Sequence, residues 1–302
     1  MKRLLAAAAA ATTLLSACAG VTAPGATRSE TPQQSLAASG KAMKQVNSVR
    51  FDLNGTVAVT LPQPLIDQLR AKGGSQAMLL SSNMTVALKI SGAAQKPDRL
   101  QATIAAQLGG LSLHTEVIAA GGNLYYKDPM TSKWALVKRS GAGKSEAGKA
   151  GTPRATLSYQ TILDTAKSIT EVTDSTSTVN GVLVEHYRIV PDLLKLLAQA
   201  SAGHSPSNPA AMTALQTVLQ NATVAADVWT GTSDHLVHRL SYDADVTADL
   251  HQLAGAMSSQ AAAKVPAFNL PAGSIGHVTA HIVVDLHDFN TRLTIQAPAV
   301  AG

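Results

Sequence analysis

The side chains that could do chemistry in this chain are one thiol, Cys18, nine imidazoles and 19 carboxylates. Two imidazole pairs stand close in sequence, His235-x-x-His238 and His277-x-x-x-His281. A zinc site needs three or four ligands converging on one ion. Residues four apart on a strand are separated by about 13 Å at 3.3 Å per residue, too far to share a metal. His235 and His238 flank a turn at positions of opposite parity, and the sequence points to no further ligands. Both pairs therefore read as solvent-face histidines, and neither a metal nor another cofactor is expected. Serines are plentiful, but Gly-x-Ser-x-Gly does not occur, nor does Ser-x-x-Lys followed by Lys-Thr-Gly. No Gly-rich phosphate loop follows a strand pattern. The carboxylates fall mostly at turns or at wet strand positions such as Asp243, Asp245 and Asp285. Nothing here assembles an enzyme, and the chain is expected not to be one. A hydrolase of unrecognised geometry is the weakest of three functional readings.

That leaves the thiol. Cys18 ends the run Leu15-Ser16-Ala17-Cys18 behind a basic start, Lys2-Arg3, and an apolar stretch from Leu4 to Leu15. This is the arrangement of a secretory signal, and the stretch is too short to span a bilayer, which takes about 20 apolar residues. The four residues resemble a bacterial lipobox. That resemblance implies that the thiol is diacylated, that the leader of residues 1–17 is cut away, and that Cys18 becomes the first residue. A lone cysteine has no partner for an internal disulfide, and an unpaired thiol is unusual in an exported protein. The expected location is the extracytoplasmic face of the cell membrane, held there by the Cys18 lipid.

The formal charge of +5 includes Lys2 and Arg3, so the mature side chains carry about +3, with no run of five like charges. Nucleic acid is not expected as a partner. Hydrophobic residues make up 45% of the chain while Phe, Trp and Tyr together make up 3%, so the core must be aliphatic. Residues 18–30 are small, polar and broken by Gly and Pro, which marks a tether that cannot bury enough surface to fold. Residues 31–302 are expected to form one domain.

The domain opens with a predicted helix at Thr31-Pro32, Thr as N-cap and Pro in the first turn, with Leu36, Met43 and Val46 on one face. Period-two alternation then begins at Val49 and recurs through residues 83–90, 99–108 and 111–117. Gly109-Gly110 and Gly121-Gly122 are tight-turn signals, so consecutive strands pair antiparallel. Residues 140–153 have almost nothing to bury and read as a surface loop. Helical spacing returns in Tyr159, Ile162, Leu163, Ala166 and Ile169. Strands are predicted near 179–190, 223–230, 235–246, 276–287 and 291–297, and helices at 192–201, 209–221 and 247–259. About ten strands with one apolar face each, and a few helices, make an α+β domain whose antiparallel sheet carries helices on one side.

Several phrases, taken in order, resemble the LppX/LprG-type envelope lipoproteins, relatives of the LolA/LolB-like lipoprotein carriers. They are Val49-Arg50-Phe51 after the opening helix, Gly122-Asn123-Leu124-Tyr125-Tyr126-Lys127 with Trp134 downstream, and Val182 to Arg188 after Asn180-Gly181. Ala226-Asp227-Val228-Trp229-Thr230, His238-Arg239-Leu240-Ser241 and Asp288-Phe289-Asn290 leading to Pro298 complete the order. The resemblance covers most of the mature chain. It implies a curved, half-barrel sheet with helices packed on its concave face around an apolar cavity for acyl chains. It further implies an acyl lipid or lipoglycan as ligand and a membrane transporter as a further partner. The chain departs from the pattern in helical segments around 191–222 and at Pro64 to Lys72. Inward parity selects Leu53, Val57, Val86, Leu88, Ile104, Leu113, Tyr126, Val228, Leu240 and Ile282 as candidates for the cavity wall. The same alternation would also line a closed core, and the rival reading is a scaffold lipoprotein that binds protein partners through loops such as 140–153.

Overall fold

The computed structural model describes residues 30–72, 81–137, 159–172, 177–201, 209–258 and 270–300. Cys18 and the 140–153 loop lie outside them. Twelve strands form one antiparallel sheet: β1 (Ser48–Thr60), β2 (Asn83–Gln95), β3 (Arg99–Leu108), β4 (Leu111–Ala120), β5 (Asn123–Lys127), β6 (Trp134–Leu136), β7 (Ala166–Glu171), β8 (Ser177–Val179), β9 (Val182–Pro191), β10 (Thr223–Gly231), β11 (Val237–Asp249) and β12 (Ile275–His287). The spatial order is β6-β5-β4-β3-β2-β1-β12-β11-β10-β9-β7, with β8 beside β9. The sheet stays open, ending at β6 on one side and β7 on the other. The first and last long strands, β1 and β12, lie side by side at its centre.

The described helices are α1 (Pro32–Gln45), α2 (Gln63–Lys72), α3 (Tyr159–Asp164), α4 (Leu193–Ser201), α5 (Pro209–Gln220) and α6 (Leu250–Ser258). The start of α1 is a capping box: Gln34 N donates to Thr31 Oγ1 at 3.3 Å and Thr31 N donates to Gln34 Oε1 at 2.9 Å. Leu36 and Val46 are buried in a core that draws Phe51, Ile90, Leu100, Tyr187, Val228, Leu240 and Leu286 from seven strands between β3 and β9. The sheet therefore curves around α1. At its opposite end α6 lies on the same inner face, where the side chain of Leu250 fills the space a Cβ on Gly276 would need.

Four expectations need correction. Ala166 and Ile169 belong to β7 and not to a helix. A register shift between Ala166 and Ser168 puts Ala166 opposite Pro191 and Ile169 opposite Ile189, so two apolar residues three apart share one sheet face and imitate helical spacing. The strand near 179–190 is a hairpin, β8 and β9, joined at Asn180 and Gly181, both at positive φ as a type I′ turn demands. β11 runs on to Asp249, where the Asp249 carboxylate accepts from the backbone N–H groups of His251 and Gln252 and starts α6 three residues later than expected. Residues 291–297 alternate as a strand does but join no ladder. Asp288 and Asn290 adopt positive φ, and the chain turns back over the outer face, burying Leu293 and Ile295 against Ala93, Ile118 and Ala120. Ser48 Oγ donates to Thr291 O and Arg99 to Ile295 O, holding it down.

Candidate functional site

Ladder register places the inner-face residues in rows across the sheet. One row runs Ile104, Ile90, Leu53, Val284, Leu240, Val228 and Tyr187, and in it Ile90, Leu240, Val228 and Tyr187 are buried in the core that also holds Leu36 of α1. The next runs Leu113, Ala106, Leu88, Gly55, Ile282 and Tyr242, and the following one Leu111, Leu108, Val86, Val57, Ala280 and Ala244. From β4 to β11 no residue of these two rows is buried, although β1 and β12 are the central strands of the sheet; beyond Tyr242 the first of them passes into the core at Ala226 and Ile189. A closed core is driest at its central strands, because neighbours surround them on every side. Here the inner face is dry under α1 and opens, still apolar, toward Val57 and Val59.

The ten candidates from inward parity divide along that gradient. Val228 and Leu240, at 1% and 4% exposure, belong to the packed core. Leu53, Leu88 and Ile104 are half-buried and touch its margin. Val57, Val86 and Ile282 are half-buried in the open rows, Leu113 is exposed, and Tyr126 is half-buried opposite Val117 near the β5 edge. Sequence parity assigned the face but could not rank depth, because depth depends on where α1 crosses. Tyr242 sets one phenol in this aliphatic surface, and burial raises its pKa above the ordinary value of 10.0.

The outer face is polar and built of cross-strand pairs. His277 bonds Asp245 at 2.8 Å, His281 bonds Asp243 at 2.6 Å, and His287 bonds Asp52 at 3.1 Å. The Ser91 hydroxyl, helped by His287, holds Asp52 below the usual carboxylate range. Asp227 is the one buried carboxylate among the described residues. It accepts two bonds of 3.0 Å from Arg188 and is 2.7 Å from His186 Nε2. His186 stacks on Trp229 with centroids 4.2 Å apart, and the Arg239 guanidinium, clamped to Asp285, stands 5.9 Å from the Trp229 ring. His238 departs from the solvent-face expectation: at the start of β11, on the parity of Leu240, it is only 4% exposed, bonds Asp234 at 3.0 Å and meets the Phe289 ring edge-on. Sequence reading placed the β12 histidines on the wet face, but their carboxylate partners lie 32 to 235 residues away, and no local signal names them.

Each of these five imidazoles is thus bonded to an aspartate. Among the described residues no three His, Cys, Asp or Glu side chains gather to hold a metal ion. None of the described helices is long and apolar enough to cross a membrane. Compared with models of known protein families and with curated protein sequences, the chain matches none. The inner face is the feature that needs a functional account.

Proposed function

We propose that this chain is a membrane-anchored lipoprotein of the LppX/LprG type that takes up a lipid or lipoglycan on its inner face and carries it across the cell envelope. One observation carries the proposal: the apolar rows through Val57 and Ile282 stay half-exposed on the central strands, where a protein without a ligand would bury them. Contiguous apolar surface of that kind marks a binding site. Its lining is uncharged and, apart from the Tyr242 phenol, aliphatic, which suits flexible acyl chains better than flat or polar ligands. The Leu15 to Cys18 run supports an acylated anchor, and anchoring through more than one acyl chain is stable where a single chain is marginal. No bond is made or broken in this reading; uptake is driven by removing acyl and side-chain surface from water, at about 25 cal/mol per Å².

Native mass spectrometry of the mature chain with Cys18→Ser, expressed in a lipid-rich host, tests the proposal. The expected spectrum carries a non-covalent adduct in the mass range of an acyl lipid. A bare polypeptide mass that stays bare after incubation with envelope lipids would overturn it in favour of a protein-binding scaffold.

A further inference from the structure

We infer that the β3–β4 hairpin is a membrane-contacting tip, through which the protein touches an anionic phospholipid bilayer as cargo enters or leaves. Leu108 and Leu111 face each other across the Gly109-Gly110 turn at 39% and 54% exposure, and Leu113 follows at 41%. These are among the most exposed large apolar side chains of the described residues, and they cluster on one hairpin. All three lie on the inner face, in register with Val86, Val57 and Leu88. The apolar surface assigned to cargo therefore runs without a break to the tip.

Charge points to a lipid surface rather than to water or a second protein. From Gln101 to Thr115, fifteen residues, there is no Asp, Glu, Lys or Arg. The neighbouring stretch of β2 that pairs with this hairpin, Val86 to Lys89, contributes a single charge, the exposed outer-face cation Lys89, which stands opposite Ala105 and whose charge also reaches Asp52 on β1. The uncharged tip meets acyl chains with its leucines, and Lys89, about 10 Å back along β2 on the outer face, brings its ammonium to the level of the lipid phosphates once the leucines are inserted. The Gly-Gly turn leaves no bulky side chain at the apex, so Leu108 and Leu111 lead. Reach allows the contact: thirteen residue steps from Cys18 to Thr31 span at most about 45 Å, as much as the longest strand of the sheet. A hairpin on such a tether can reach the bilayer in which the anchor sits. The inference rests on the lipid-carrier reading for its purpose but not for its test.

The test uses the mature chain with Cys18→Ser, so that no acyl anchor contributes, and unilamellar vesicles of phosphatidylcholine with phosphatidylglycerol. Leu111→Asp is expected to lower vesicle partition at least tenfold while leaving the melting temperature unchanged. Leu136→Asp, at a leucine 40% exposed on the outer face of β6, is expected to leave partition as it was. Leu111→Trp is expected to shift fluorescence to shorter wavelength on adding vesicles, and Lys89→Glu to weaken partition only where phosphatidylglycerol is present. Equal losses in the two Asp variants, an unshifted Leu111→Trp spectrum, or a dimer dissolved by Leu111→Asp with partition unchanged would each overturn the inference. A lipid-free mass spectrum with intact partition would remove the carrier reading and keep the tip; a lipid-loaded chain with no leucine-dependent partition would do the reverse.

Discussion

Placing an indole at Leu88 and at Val228 separates an open inner face from a closed one. Leu88 is half-buried and stands between Gly55 and Ala106 in its row; Ile282 occupies the space over Gly55, and the small Ala106 lies on the other side toward the exposed Leu113. Val228, at 1% exposure, lies between Leu240 and Tyr187, both buried, and has no free volume beside it. Overpacking a filled core costs about 1–3 kcal/mol, and Val228→Trp, a large increase in size, belongs at about 3. Leu88 touches only the margin of that core, so Leu88→Trp is expected to cost no more than about 1 kcal/mol, the foot of the overpacking range. At about 2–4 °C per kcal/mol for a domain of this size, the melting temperature should fall by about 6–12 °C for Val228→Trp and by no more than about 2–4 °C for Leu88→Trp. Circular dichroism melts of the Cys18→Ser chain measure both, and native mass spectrometry of the same samples measures cargo. Leu88→Trp should lose cargo and keep most of its stability. If it falls by more than about 6 °C, as Val228→Trp does, the inner face is a closed core throughout and the reasoning fails.

Three other outcomes follow from particular contacts. A Cβ on Gly92 would stand 2.7 Å from the Phe51 ring and 2.5 Å from the Gln101 carbonyl, so Gly92→Ala is expected to cost about 2 kcal/mol in urea unfolding, outweighing the entropy alanine would save; a neutral result would show that Phe51 can move aside freely. Arg188→Ala leaves Asp227 buried with His186 alone and should destabilise by about 2 kcal/mol, less than a fully buried pair because Arg188 is half-exposed; an unchanged urea midpoint would mean that the pair does not hold β9 to β10. Burial raises the Tyr242 pKa, so the folded state keeps a proton that the unfolded chain loses near pH 10, and this part of the stability is present below pH 10 and lost as pH rises through the folded pKa. Tyr242→Phe should therefore lose less stability than the parent between pH 8 and pH 10.5, and identical losses would place the phenol in water.

Much of the architecture was legible because one period accounts for it. Alternation from Val49 through Val117 and again through β11 and β12 placed the strands and their inner face, since a buried face tolerates no slip of one residue. The Thr31–Gln34 box and the Gly-Gly turns placed boundaries through local bonds and dihedrals, which neighbouring residues alone decide. Where a tertiary partner supplied the bond, local reading failed. Leu293 and Ile295 carry a strand's alternation but spend it on the outer face of β2 and β4. Ala166 and Ile169 carry a helix's spacing because a bulge turned them to one side.

The candidate site divides the same way. The α+β class, the antiparallel pairing and the side on which each apolar residue falls were set by residue order alone, because each depends on chemistry within a few residues of itself. Which inward residues are sealed in the core and which stay half-open, and which aspartate each outer-face histidine meets, were decided only when the strands paired: β12 with β11 for His277 and His281, β9 with β10 for His186, and β12 with β1, across more than two hundred residues, for His287. Burial and cross-strand charge pairing are properties of neighbours in space, and no period along the chain encodes how far a helix extends over the face it covers.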